Sequence, residues 1–189
     1  LSSLAMFLES VLMPLVYRNQ KIITTSKSSQ KAIRRLGLGK AAEIEVVHPG
    51  LDRKLFGTRP KTLFPSFIYL GRLKPYKNID VLIRAFAKVH RRHPQARLPI
   101  AGEGESLKTL NKLVAELHLE GEIRFLGKVS TATKAKLMAE SWAAVQPSSV
   151  EGWGITVIEA NASGTPADEL VPKVARPEPA FTNKESEWP

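Results

Sequence analysis

Cysteine is absent from all 189 residues. That removes a disulfide framework, a thiolate zinc site and a thiol nucleophile together. A long apolar run is missing too. The best stretch, Leu4 to Val16, is interrupted by Glu9, Ser10 and Pro14 and falls short of a bilayer span. The chain opens Leu1-Ser2-Ser3, with no basic start and no signal-peptide cleavage site, so a cytoplasmic protein is expected. An initial Leu in place of Met points to missing upstream sequence. The four histidines stand without useful company. His90 and His93, beside Arg91 and Arg92, read as surface residues at a helix end, and no metal-ligand spacing or Ser-His-Asp arrangement emerges.

What is present is ordinary globular material, 43% hydrophobic and 24% charged, enough for a sizeable core. The charge is lopsided. Twenty-eight Lys and Arg against eighteen acids give +10, and the stretch Arg18 to Lys61 holds eleven of the cations and three of the acids, or +8. Such a surface attracts polyanions, and two readings stay open: a solvated basic face, or a non-catalytic module binding nucleic acid or anionic membrane. That stretch has only Phe56 as an aromatic and no recognised nucleic-acid module, so no specific nucleic-acid partner is expected. Peripheral contact with an anionic inner membrane face remains open.

Strand and helix patterns alternate. Phe67 to Leu70 is a continuous apolar run bounded by Pro65 and Gly71, as in a strand buried on both faces. Ile79, Leu82, Ile83, Phe86 and Val89 follow at helical spacing, with Asn78 placed to cap. Further strands are expected over 97–101, 123–126 and 142–146, with helices over 107–117, 132–141 and 155–163. This is βαβ grammar, an α/β fold with a Rossmann-like parallel sheet. The first fifty residues repeat it weakly: a helix to about Tyr17, a strand over 21–24, a basic helix over 27–36 and a strand over 43–47. The expected organisation is therefore 1–48 as the end of one lobe, 49–65 as a proline- and glycine-containing linker, and 66–167 as a second lobe. From Asp168 periodicity collapses into a proline-rich, charged tail over 168–189, expected to be disordered.

In an open parallel sheet, ligands bind at the carboxyl ends of the strands. The first exit of the second lobe reads Gly71-Arg72-Leu73-Lys74-Pro75-Tyr76-Lys77, where a bidentate guanidinium and a lysine could converge on phosphate, or could simply be surface cations. The second exit, Gly102-Glu103-Gly104-Glu105, stops short of a dinucleotide fingerprint and carries two acids that would repel a pyrophosphate; it reads as a turn. The third offers Gly127-Lys128-Val129. The fourth is the most informative: Glu151-Gly152-Trp153-Gly154-Ile155 leads into a helix carrying Glu159, a glycine-flanked loop with helical N–H groups suited to an anion. On one unbroken helix the two carboxylates would lie about 12 Å apart; the glycines free Glu151 to fold back. Hydroxyl recognition at both ends of a glycosylated nucleotide is one reading. A hydrolase pair and two solvated acids are the others.

The series His48-Pro49-Gly50-Leu51-Asp52, Gly71-Arg72 with Lys77, Ala101-Gly102-Glu103-Gly104, Phe125-Leu126-Gly127, and Glu151 and Glu159 running on to Ala162-Ser163-Gly164-Thr165-Pro166 resembles the retaining, nucleotide-sugar-dependent glycosyltransferases of family 4, which have the GT-B fold. The resemblance covers residues 44 to 167. It implies that the first lobe is the end of the acceptor-binding lobe and the second an incomplete donor-binding lobe. Arg72 and Lys77 would then hold the donor diphosphate and Glu151 would face the sugar hydroxyls. Gly71 and the backbone of Gly152, Trp153, Gly154 and Ile155 would meet sugar and phosphate. Glu159 would bind the ribose, and Lys128 and Val129 would lie beside the base. Trp153 stands where Phe is commoner. The implied donor is a UDP- or GDP-linked sugar, the acceptor a carbohydrate or lipid-linked molecule, and neither cofactor nor metal is required. Because the start of the first lobe is absent and the tail replaces the next strand and closing helices, the chain is expected to be a fragment, weak or inactive in transfer alone.

Overall fold

The computed structural model describes residues 12, 16, 17, 20–35, 44–52, 54–149, 151 and 153–169. Most of the expected first helix, Gly152 and the tail from residue 170 lie outside them. The chain divides after Gly50 into two compact units, and among the described residues no helix is long and apolar enough to cross a membrane.

In the first unit, β1 (Ile22–Thr24) pairs in parallel with β2 (Ile44–Val46), and α1 (Lys27–Arg35) connects them. Ser26 starts α1, its Oγ accepting from the Ser29 N–H at 3.1 Å. The helix ends on Arg34 and Arg35, which complement its negative end. It buries none of its own residues, as its basic sequence dictates, and Gln30 Nε2 ties it to the Ile44 carbonyl at 2.7 Å.

The second unit is a five-stranded parallel sheet. Its strands are β3 (Phe67–Leu70), β4 (Leu98–Ala101), β5 (Ile123–Gly127), β6 (Ala143–Gln146) and β7 (Ala167–Glu169), in the spatial order β5-β4-β3-β6-β7. Between them run α2 (Ile79–Arg92), α3 (Leu107–Glu116), α4 (Thr131–Glu140) and α5 (Ile155–Ala162). Side chains alternate across the pleat. In β3, Tyr69 joins Ile83, Phe86, Leu110 and Leu113 in a core under α2 and α3, whereas Ile68 and Leu70 join Met138, Ala144 and Ala160 under α4 and α5. Both faces are covered, which is why the strand reads as an unbroken apolar run.

Three expectations change on contact with the structure. The segment expected as a linker packs on the second unit: Phe56 lies in the second core, and Lys61 Nζ donates to the Ala139 carbonyl at 2.9 Å and to Thr165 Oγ1 at 2.6 Å. The sheet continues into β7, which pairs with β6 through Asp168 and Glu169, although Ala-Asp-Glu has no strand-like apolar pattern. His90 is not a solvated surface residue but half-buried, its ring stacked on Phe86 at 6.2 Å.

Candidate functional site

The strand order locates a crevice. Sequence neighbours β3 and β4 lie to one side, and the chain then crosses back to place β6 against the other edge of β3. Order therefore reverses between β3 and β6, and the carboxyl ends of that pair form the topological switch point where α/β sheets bind ligands.

The loop leaving β3 is held from beneath. Gly71 N–H donates to the Ala101 carbonyl at 3.0 Å and Leu73 N–H to Glu103 at 2.9 Å, locking this exit onto that of β4. Gly102 makes the approach possible: its φ is +140°, and a Cβ there would stand 1.8 Å from the Gly71 carbonyl oxygen. The glycines after β4 thus serve loop packing, in keeping with the turn reading. Tyr69, fully buried, donates its hydroxyl to the Arg72 carbonyl at 3.0 Å. Burial raises its phenol pKa above the ordinary value, and the charge of Glu151 and the Tyr76 phenol add to the rise. Arg72 is exposed and its Nη2 donates to Tyr76 Oη at 3.1 Å. A single 3-10 turn, Pro75–Lys77, then carries the chain over. Lys77 is 8% exposed, its ammonium 5.2 Å from the Tyr76 ring centroid.

The loop leaving β6 meets this one directly. Ser149 N–H donates to the Tyr76 carbonyl at 3.0 Å. Lys77 Nζ pairs with Glu151 Oε1. Asn78, expected as a helix cap, has φ 50° and makes no side-chain cap. Its Nδ2 instead crosses between the exits, donating to the Pro147 carbonyl at 2.9 Å and Ser149 Oγ at 2.7 Å. Below them, buried Gln146 Nε2 donates to the Leu70 carbonyl at 3.0 Å. Ser148 is fully buried and its Oγ has no hydrogen-bond partner among the described residues. Gly154, at φ 71°, starts α5 without a side-chain cap and with no acid in the first turn, so neither offsets the positive helix end. Gly71, Arg72, Lys77, Glu151, Trp153, Gly154 and Ile155 all lie on these two exits.

Glu159 sits one turn into α5 and is 6% exposed. Its Oε1 pairs with Lys134 of α4, while its Oε2 is buried without a hydrogen-bond partner among the described residues. Lys134 lies 5.4 Å from the centroid of the Phe56 ring. Sequence reasoning missed Lys134, although it stands four residues before buried Met138 and so on the covered edge of α4. It also missed Asn78 as a bridge. Lys128 and Val129 follow β5, whose last carbonyl, that of Gly127, accepts from the Gly102 N–H at 2.8 Å. Lys128 is exposed at the end of β5, with no hydrogen bond or ion pair to the two glutamates, and Val129 packs on the second core.

A separate cleft of about 430 Å³, lined by Lys54, Arg59 and Lys136, contains neither glutamate. Among the described residues no three His, Asp or Glu side chains gather into a metal-binding group.

Residues 55–167 match the family described as Glycosyl transferases group 1. The chain is 33% identical over 155 residues to a glycogen synthase of Mycobacterium tuberculosis, covering 80% of this chain and 37% of that protein. It is 29% identical over 163 residues to a GDP-mannose-dependent alpha-(1-6)-phosphatidylinositol monomannoside mannosyltransferase of the same organism, covering 77% and 42%. Anabaena HepE, solved in complex with UDP and glucose, superposes with a TM-score of 0.72 at 27% identity, over 83% of this chain and 46% of that one. Sucrose-phosphate synthase from Thermosynechococcus elongatus superposes with a TM-score of 0.72 at 25% identity, over 85% and 43%. The chain thus spans roughly two fifths of its curated relatives. The parallel α/β architecture is that of GT-B glycosyltransferases, and with a family match covering more than half its length the chain belongs to the group 1 glycosyl transferases.

Proposed function

We propose that the second unit is the donor-binding part of a retaining, family 4 glycosyltransferase, and that the exits of β3 and β6 together clasp the diphosphate of a nucleotide sugar. One observation carries the reading: Arg72, Tyr76, Lys77 and Glu151 form a continuous polar chain across the switch point, next to the uncapped start of α5. Names among the relatives support the ligand class, since one is described as GDP-mannose-dependent and another was solved with UDP. The donor is therefore a UDP- or GDP-linked sugar, and the acceptor a carbohydrate or lipid-linked molecule bound largely by the other lobe.

The roles follow from charge. Breaking the bond from the anomeric carbon to phosphate leaves the electron pair on the diphosphate while positive character grows at carbon. Arg72, whose bonded neighbour is a neutral phenol, is available for the phosphate oxygens. Lys77 turns from Glu151 toward the same anion, and the N–H groups of Gly154 and Ile155 complete the cradle. Preorganised donors of this kind contribute on the order of 3 kcal/mol each to a developing anion, which lets the reaction proceed without a metal. On the family resemblance, Glu151, once released, would accept from sugar hydroxyls, Glu159 from the ribose, and Lys128 and Val129 would flank the base. In a retaining reaction the acceptor attacks the face that the leaving group departs, with the leaving phosphate taking its proton.

A thermal-shift panel of UDP- and GDP-sugars on the chain tests donor binding by itself. Stabilisation is expected for one base, and Arg72→Ala or Glu159→Ala should weaken it about 10- to 100-fold, the loss of one or two charge-assisted bonds. A basic module binding nucleic acid or membrane would instead show polyanion affinity falling steeply with salt and indifferent to both substitutions.

A further inference from the structure

We infer that Lys134 is a positioning residue for the nucleotide ribose: it holds Glu159 by one carboxylate oxygen so that the other faces the ribose diol. The inference rests on the reading of Glu159 as the ribose ligand and adds the group that sets its geometry.

Three separate segments build the arrangement. Phe56, 6% exposed, comes from the segment ahead of β3; Lys134 comes from α4; Glu159 comes from α5. The Phe56 ring supports the lysine at 5.4 Å, and the lysine occupies Glu159 Oε1. The ion pair is largely withdrawn from water, with side-chain exposures of 27% for Lys134 and 9% for Glu159. Only Oε2 is left, buried and without a hydrogen-bond partner among the described residues. A buried acceptor without a donor is costly, and native structures rarely keep one without a use. A vicinal diol supplies the missing donors. A purely structural ion pair would not need one oxygen bare, nor a glutamate on the helix that opens at the switch point.

The ammonium matters because a carboxylate withdrawn from water without a counter-charge is unfavourable. Deprived of Lys134, Glu159 Oε1 loses its partner, and the rotamer that aims Oε2 at the ribose is no longer fixed. The phosphate contacts of the β3 and β6 exits do not involve Lys134 and should survive.

Ribose discrimination reads this directly. UDP and GDP are titrated calorimetrically into the full chain beside their 2′,3′-dideoxy forms. The wild type should prefer the diol about 10-fold or more, as expected for hydrogen bonds to a charged acceptor. Lys134→Met should bring the two affinities to within about twofold by weakening the diol form, with dideoxy affinity unchanged; Lys134→Arg should retain most of the preference. If Lys134→Met does not fold, Lys134→Gln is titrated instead, and a fall in preference of about threefold or more is expected. Full preference in the foldable variant, with loss in Glu159→Gln, would overturn the role of Lys134 while leaving Glu159 as the ribose ligand. No diol preference in the wild type would overturn the ribose reading itself.

Discussion

Glu159 and Tyr69 carry most of what single residues decide here. A buried carboxylate stripped of its lysine is an unpaired charge, so Lys134→Met should lower stability by about 3–5 kcal/mol. Replacing both partners, as Lys134→Met with Glu159→Leu, should recover most of that loss because no buried charge is left behind. Chemical denaturation of the single and double variants reads both values. Tyr69 makes a pH prediction. Its phenol is held protonated by burial in the folded chain, whereas in the unfolded chain it ionises near pH 10. Above that pH the folded state binds the extra proton, so stability falls as pH rises, and Tyr69→Phe should flatten the fall. Melting temperatures of the two proteins between pH 8 and 11 test the sign. The variant also loses the bond to the Arg72 carbonyl, which sets a constant offset of about 1 kcal/mol at neutral pH.

Among the elements, the loops depend on close backbone contacts that helical and strand periodicity do not encode. Gly102→Ala would drive a methyl to 1.8 Å from the Gly71 carbonyl at a φ that L-residues avoid. The β3 exit must then shift, and the expected outcome is loss of both stability and nucleotide affinity, seen as a lower melting point and a smaller ligand shift. Asn78→Ala is gentler. It removes two hydrogen bonds to the β6 exit at a cost of about 1–3 kcal/mol, and nucleotide binding should weaken because the two loops are no longer pinned together.

The same contrast explains what the sequence made legible. Strands such as Phe67–Leu70 and helices such as Ile79–Arg92 announce themselves because apolar spacing follows burial. Arg72, Lys77, Glu151 and Glu159 stand out in the sequence because they lie at strand exits and motif positions, and their donor contacts are part of the proposal. Lys134 does not stand out, since a lysine on a helix ordinarily reads as solvated and only tertiary packing brings it to Glu159. The β7 strand is not legible because its backbone pairing to β6 leaves no mark on Ala167-Asp168-Glu169, and Asn78 stands at the N-cap of α2 as expected but turns its amide to the β6 exit instead of capping with it.

At the scale of the molecule, net charge and fold answer different questions. A charge of +10 favours any anion, and the cleft of Lys54, Arg59 and Lys136 offers a second basic surface. The parallel sheet, by contrast, singles out one crevice, between β3 and β6, and the family match over residues 55–167 contains that crevice whole. The decisive measurement is amide chemical-shift mapping of the chain during titration with UDP and GDP. Perturbations concentrated at residues 71–77, 148–151 and 153–159 are predicted, with the largest at Arg72, Lys77 and Ile155. Shifts confined to residues 27–35, or to the Lys54, Arg59 and Lys136 cleft, would contradict the account.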